Sequence, residues 1–340
     1  MTKQIDLAIV GATGVVGQAI IEILEERNFP CDKVYLLASE RSKGERMKFR
    51  NRSLMVEDLS EFDFSKVQIA LFSAGGKVSE EFVPKAAAKG AIVIDNTSQF
   101  RYDPAIPLVI PEVNPEKISE YKNKNIIANP NCSTIQMLVA LKPIYDAVGI
   151  TRINVATYQS VSGTGKKAIE ELAGQTAALL NGQPIKSQVY PLQIAFNLIP
   201  QIDDFLENGY TREEMKMVWE TQKILGDSAI QINPTAVRVP VFYGHSEAIS
   251  IETKEKISVA QAVQLLEKAP GIKVKHANKA KGYPTPVIDA TGKDSVFVGR
   301  IREDISCSNG LNLWVVADNI RKGAALNSVQ IAESVVRDYL

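Results

Sequence analysis

The stretch IDLAIVGATGVVGQAIIEILEER, residues 5–27, begins as a short apolar run and turns through Gly11, Gly14 and Gly17. It continues with Val16, Ala19, Ile20, Ile23 and Leu24 at helical spacing. A strand that passes into a helix through glycines is the first half of a βαβ unit. Glycine lets the backbone approach a pyrophosphate, and the helix N-terminus offers unpaired N–H groups and the positive end of a dipole. The spacing is G-x-x-G-x-x-G, one residue wider than the usual dinucleotide fingerprint. A tight strand-to-helix turn that binds nothing would use the same residues. Placement at residue 11, in the first βαβ unit, favours the nucleotide.

Outward from this unit the alternation continues. KVYLLAS (33–39), VQIALFSA (67–74) and AIVIDNT (91–97) read as strands, and EEFVPKAAAKG (80–90) as a helix closed by Gly90. Fully apolar strands separated by helices predict a parallel sheet covered on both faces. Beyond residue 130 the texture changes. TRINVATYQSVS (151–162) alternates as a strand, and KKAIEELAGQTAALL (166–180) is helical. Residues 182–210 carry three prolines and little periodicity, which predicts a long excursion. TREEMKMVWETQKIL (211–225) is a helix capped by Thr211. AVRVPVFYGHSEAISIET (236–253) reads as two strands around a Tyr-Gly turn. A helix at 258–269 and strands at 296–304 and 312–319 follow, then a final helix from Asn319 to Leu340. The expected architecture is α/β: a parallel-sheet nucleotide domain, residues 1–130 with 319–340 packing back on it, and an α+β domain with a mixed sheet, residues 131–318.

The 340 residues hold 39 Lys plus Arg against 39 Asp plus Glu, so nothing suggests nucleic acid or another polyanion as partner. No apolar run approaches the roughly 20 residues of a membrane span. The N-terminus enters a strand pattern at once, which predicts no signal peptide. Cys31, Cys132 and Cys307 cannot all pair and are far apart, an arrangement expected of reduced thiols in the cytoplasm. No metal is expected.

The second strand leads into LLASERSKG, residues 36–44, where a dinucleotide ribose would lie. Glu40 suits a ribose 2′-hydroxyl, as in NAD. Arg41, Ser42 and Lys43 suit a 2′-phosphate and favour NADP. At NIIANPNCSTIQMLVALKPI, residues 125–144, an apolar run stops at Asn129-Pro130. Cys132 then stands at a corner before Met137, Leu138, Leu141, Ile144 and Tyr145 at helical spacing. A helix N-terminus favours a thiolate, and a thiolate is a nucleophile. Beside a nicotinamide it implies acyl or aldehyde chemistry through a thioester. A small hydrophobe at a hinge is the bland alternative. Of the two histidines, His276 lies in a basic loop and His245 follows Tyr243-Gly244 at a strand corner, which makes His245 the candidate acid/base.

GATGVVGQ (11–18), NPNCST (129–134), TYQSVSGTG (157–165), RVPVFYGHSE (238–247) and VADNIRKGAA (316–325) together resemble the aspartate-β-semialdehyde dehydrogenase family, in order and over the whole chain. The resemblance implies NADPH-dependent reduction of β-aspartyl phosphate to aspartate semialdehyde and phosphate, on the route to lysine, threonine and methionine, by a homodimer. It implies Cys132 as acyl-thioester nucleophile, His245 as acid/base and Gln159 aligning the thioester carbonyl. It assigns Arg238 to the substrate α-carboxylate, Glu220 to its ammonium and Arg101 to its phosphate, with Asn131 also at the substrate. Lys216, Glu220 and Lys223 share a helix face, and which lysine reaches phosphate stays open; a solvated ion-pair ladder would look the same. Gly11, Thr13, Gly14, Val15 and Val16 match the pyrophosphate loop, Arg41 and Ser42 the 2′-phosphate site, and Ser162, Gly163 and Asn319 positions near the nicotinamide. The compact 182–210 excursion resembles the shorter branch of the family. Two rivals are N-acetyl-γ-glutamyl-phosphate reductase, in which a glycine usually precedes the cysteine, and a catalytically inactive NADP-binding regulator.

Overall fold

The computed structural model describes residues 4–276 and 282–340. The chain divides into two compact units, residues 1–130 with 324–340, and residues 131–323. In the first, β1 (Ile5–Val10) leads into α1 (Val15–Glu26), followed by β2 (Cys31–Ala38), β3 (Arg46–Phe49), β4 (Arg52–Asp58) and β5 (Ile69–Phe72). Then come α2 (Gly76–Ala88), β6 (Ile92–Asp95) and β7 (Ile126–Ala128). The sheet runs β3-β4-β2-β1-β5-β6-β7, parallel throughout except for the β3–β4 pair. β5, β6 and β7 are buried at every position, as a sheet covered on both faces requires.

The β3–β4 hairpin is not legible in the sequence. Its two-residue turn, Arg50-Asn51, has φ of 47° and 61° and makes the twisted turn that glycine normally marks. Without the glycine the signal is lost. A 3-10 segment, Pro115–Asn123, lies in the connection from β6 to β7, and Asn114 bonds the Leu108 carbonyl and Ile110 N–H to hold that crossover.

The second unit begins with α3 (Cys132–Val148) and β8 (Ile150–Gln159), then α4 (Lys166–Leu180), α5 (Arg212–Leu225), β9 (Gln231–Arg238) and β10 (His245–Thr253). It continues through α6 (Val259–Lys268), β11 (Ile272–Lys275), β12 (Val296–Glu303) and β13 (Gly310–Ala317). A single π-turn, Arg321–Ala325, precedes α7 (Leu326–Asp338), which lies in the first unit beside α1. The mixed sheet has the order β11-β12-β13-β10-β8-β9. Tyr243-Gly244 therefore does not close a hairpin. β9 runs parallel to β8 on one side, and β10 runs antiparallel to β8 on the other. The chain crosses β8 between them, and the turn residues only re-aim it.

This topology positions the site. The carboxyl ends of β8 and β9, at Gln159 and Arg238, meet the amino end of β10, at His245. α3 packs against β8, β10, β12 and β13 and beside α5 and α6. It is apolar on nearly all sides and buried accordingly.

Candidate active site

Asn131 caps α3: its Oδ1 accepts from the N–H groups of Ser133 at 3.0 Å and Thr134 at 3.3 Å. A side-chain oxygen at that position satisfies donors that the helix itself leaves open. Cys132, half-buried, is the first helical residue. A Cβ built on Gly323, in the π-turn, would stand 2.7 Å from Cys132 Cβ, so only glycine lets that segment pass Cys132. π-turns of this kind recur at functional sites.

At the carboxyl end of β8, Gln159 Nε2 donates to Glu213 Oε1 at 3.0 Å and also to Ser133 Oγ; Gln159 Oε1 is buried without a hydrogen-bond partner among the described residues. The Ser160 N–H donates to His245 Nδ1 at 3.0 Å. That bond places the proton of the neutral ring on Nε2, which has no partner among the described residues. Burial, joined by the Arg238 charge and partly offset by Glu213, lowers the His245 pKa from 6.5 to about 3. Arg238 donates from Nη1 to the Ser160 carbonyl at 2.7 Å and lies over the Tyr190 ring. Gly163 passes close to both: a Cβ there would lie 3.2 Å from Arg238 Nη1 and 3.4 Å from His245 Nε2. Asn319 Oδ1 accepts from Ser160 Oγ, Ser162 Oγ and the Gly244 N–H, which ties the turns before α4 and β10 together.

α5 supplies carboxylates. A capping box between Thr211 and Glu214 opens it, and the second Glu214 oxygen takes the Ala236 N–H. Glu220, fully buried, accepts the Asn131 backbone N–H at 2.6 Å. Glu213 accepts from Asn131 Nδ2 at 2.9 Å and from Lys216 Nζ at 3.0 Å; Lys216 also pairs with Asp203 at 2.9 Å. Burial drives the Glu213 carboxyl upward, but the Lys216 charge and the amide bonds outweigh it and hold it at about 2, against 4.5 ordinarily. Lys223 is half-buried on the same helix. Gln136 of α3 and Glu247 of β10 are both buried, and burial pushes the Glu247 carboxyl well above its usual range, only partly offset by Gln136.

Among the site residues expected in residues 131–323, the structure thus brings Asn131, Cys132, Gln159, Ser162, Gly163, Glu220, Arg238, His245 and Asn319 into one connected set, with Lys216 joined through Glu213. Glu213, Ser133 and Ser160 went unread in the sequence. Glu213 was within reach, since it precedes Lys216 by three residues and so shares its helix face.

Apart from Lys223 on α5, the remaining candidates lie in the other unit. Gly11, at φ +85°, turns the chain, and a Cβ on it would come within 3.0 Å of Ala74 N. Val15 and Val16 open α1, which has no side-chain cap and no acidic residue in its first turn. A cavity of about 580 Å³ lies there, lined by Gly11, Thr13, Gly14, Ser39, Glu40 and Ser60 among others. The glycine turn, the uncapped helix and the size of the cavity fit a dinucleotide. Arg41 and Ser42 follow on a single 3-10 turn outside that lining, and Lys43 pairs with Glu61. Arg101, buried, donates to the Asn129 and Asn96 carbonyls. No helix among the described residues is long and apolar enough to cross a membrane.

Residues 6–121 match the family described as semialdehyde dehydrogenase, NAD binding domain, and residues 141–322 match semialdehyde dehydrogenase, dimerisation domain. Over 339 residues the chain is 63% identical to an aspartate-semialdehyde dehydrogenase of Shewanella violacea, covering 100% of both chains. The crystal structure of aspartate semialdehyde dehydrogenase II of Vibrio cholerae, complexed with ASA, superimposes with a TM-score of 0.98 at 62% identity, covering 99% of this chain and 100% of that one. The Candida albicans enzyme with NADP superimposes at 0.77 and 26% identity, covering 98% of each.

Proposed function

Because the chain belongs to the aspartate-semialdehyde dehydrogenase family, we propose that it catalyses NADPH-dependent reduction of β-aspartyl phosphate to aspartate semialdehyde and phosphate, through a thioester on Cys132. One observation carries the reading: a cysteine at the head of α3 is linked, within one unit, to Gln159, Arg238 and His245 on three adjoining strand ends.

Cys132 attacks the acyl carbon; the new C–S bond forms as the acyl C–O bond breaks and phosphate leaves with the electron pair. Gln159 gives up Ser133 Oγ and turns that N–H to the acyl oxygen, keeping its bond to Glu213. A nicotinamide coenzyme, whose pyrophosphate Gly11, Thr13, Gly14, Val15 and Val16 would hold, would supply the hydride that reduces the thioester carbon. The adduct collapses with loss of the thiolate, giving the aldehyde. His245 is the acid/base: as the neutral ring it offers its Nε2–H to the oxyanion formed on the acyl carbon, and the one proton the cycle consumes goes to the departing phosphate. Arg238 holds the α-carboxylate with its planar fork, and Glu220 the ammonium. Arg101, Lys216 and Lys223 serve the phosphate end, and Asn131 shapes the corner beside the nucleophile. Arg41 and Ser42 take the coenzyme 2′-phosphate, with Ser162, Gly163 and Asn319 toward the nicotinamide. The enzyme acts as a cytoplasmic homodimer in the biosynthesis of lysine, threonine and methionine, and residues 1–130 with the C-terminal helix form its nucleotide domain.

The test is the reverse reaction. Aspartate semialdehyde should reduce NADP only when phosphate is present, and Cys132→Ala should be silent while still binding NADP. Turnover without phosphate, or full activity in Cys132→Ala, would refute the reading.

A further inference from the structure

Glu213 touches two side-chain amides at once. Its Oε1 accepts from Asn131 Nδ2 at 2.9 Å and from Gln159 Nε2 at 3.0 Å, while Oε2 accepts from Lys216. A carboxylate can only accept. Both amides must therefore turn their nitrogens toward Glu213 and their oxygens away. For Asn131 the oxygen then meets the Ser133 and Thr134 N–H groups and caps the helix that carries Cys132. For Gln159 the nitrogen stays on the side of Ser133, the neighbour of the nucleophile. An amide flipped by 180° has nearly the same shape, so packing alone does not choose between the two orientations. Flipped, Gln159 would turn a carbonyl oxygen to the acyl oxygen it should bind, and Asn131 would set donors against donors at the helix start.

We infer that Glu213 is a positioning residue for the thioester chemistry: its carboxylate fixes the amide orientation of Gln159, and with it that of the Asn131 cap. This rests on the dehydrogenase reading above. A buried carboxylate used only as an ion-pair partner for Lys216 would not need its second oxygen shared by two amides on separate elements, one at α3 and one at the end of β8. On the other side of the Asn131 amide stand two backbone N–H donors, which only one orientation serves.

The experiment is a double-mutant cycle on kcat in phosphate-dependent oxidation of aspartate semialdehyde, with Glu213→Gln made in the wild type and in Gln159→Ala. Glu213→Gln should lower kcat by about 30-fold, short of the ~10²–10³-fold cost of deleting an oxyanion donor outright. KM for the aldehyde should change by less than about 3-fold, and in the Gln159→Ala background the further loss should be at least about ten-fold smaller than in the wild type, as expected of residues that act as one unit. Glu213→Asp keeps the charge but withdraws it by one methylene; it should show the same split and serves if Glu213→Gln does not fold. A kcat within about 3-fold of wild type in whichever variant folds, or equal losses in both backgrounds, would overturn the inference. Absence of turnover in the wild type would refute the dehydrogenase reading instead.

Discussion

The backbone N–H of Asn131 donates to Glu220 Oε2 across 2.6 Å, so a carboxylate on α5 is bonded to the peptide just ahead of Cys132. Glu220 thus bears on Cys132 as well as on any ammonium it meets. Negative charge beside a helix N-terminus opposes the dipole that favours a thiolate. Glu220→Gln should therefore lower kcat/KM for aspartate semialdehyde by about ten-fold or more, through loss of a charged contact. The same change should speed alkylation of Cys132 by iodoacetamide at neutral pH. Slower alkylation would show that the bond to Asn131 matters more than the charge.

Gly323 abuts Cys132, the proposed nucleophile. A methyl at this position would lie 2.7 Å from Cys132 Cβ, and one of the two must move. Gly323→Ala should fold and bind NADP yet lose about 10²-fold in kcat, the scale of a misplacement of about 1 Å. Unchanged kcat would mean that the π-turn yields without shifting the thiol.

His245 gives a pH signature. Its pKa is lowered from 6.5 to about 3 by burial first and the Arg238 charge second. Between those values the unfolded chain binds a proton that the folded chain does not, so stability falls as pH drops through 6.5. The loss should reach a few kcal/mol, at about 1.4 kcal/mol for each pH unit that separates the folded and unfolded pKa. The raised carboxyl of Glu247 contributes a slope of opposite sign at these pH values, so the histidine is read from the difference between the wild type and His245→Asn between pH 6.5 and about 5. Thermal melts of His245→Asn should lack the histidine's share of the slope; a parallel curve would place the proton elsewhere.

Arg238 already gives one Nη1 hydrogen to the Ser160 carbonyl, so the planar group is pre-aimed. A lysine has no fork to divide between a carbonyl and a carboxylate. Arg238→Lys should cost transition-state binding of about 2–5 kcal/mol, read from kcat/KM, as for other buried charged contacts that lose a partner. Wild-type kcat/KM would remove Arg238 from the substrate.

Coenzyme choice sets Glu40, on the cavity wall, against Arg41 and Ser42 on the turn beyond it. Arg41→Ala should weaken NADP roughly ten-fold, the cost of one charged hydrogen bond, and leave NAD unchanged. Equal affinity of the wild type for both coenzymes would give the site to Glu40.

The sequence alone determined the parallel nucleotide fold, the helix headed by Cys132 and the capping of α5. Each rests on local signals: a period of two or 3.6, a glycine at a required turn, a threonine three residues before a glutamate. Local signals failed where the chain met itself at a distance. Arg50-Asn51 makes its hairpin turn without glycine, and β9 and β10, adjacent in sequence, flank β8 instead of pairing. Only the tertiary structure placed Glu213 between Asn131 and Gln159, 82 and 54 residues away, and buried His245 so that it is neutral. Hydrogen bonds across such separations, and the desolvation that shifts a pKa, depend on what else fills the same space. No window of neighbouring residues carries that information.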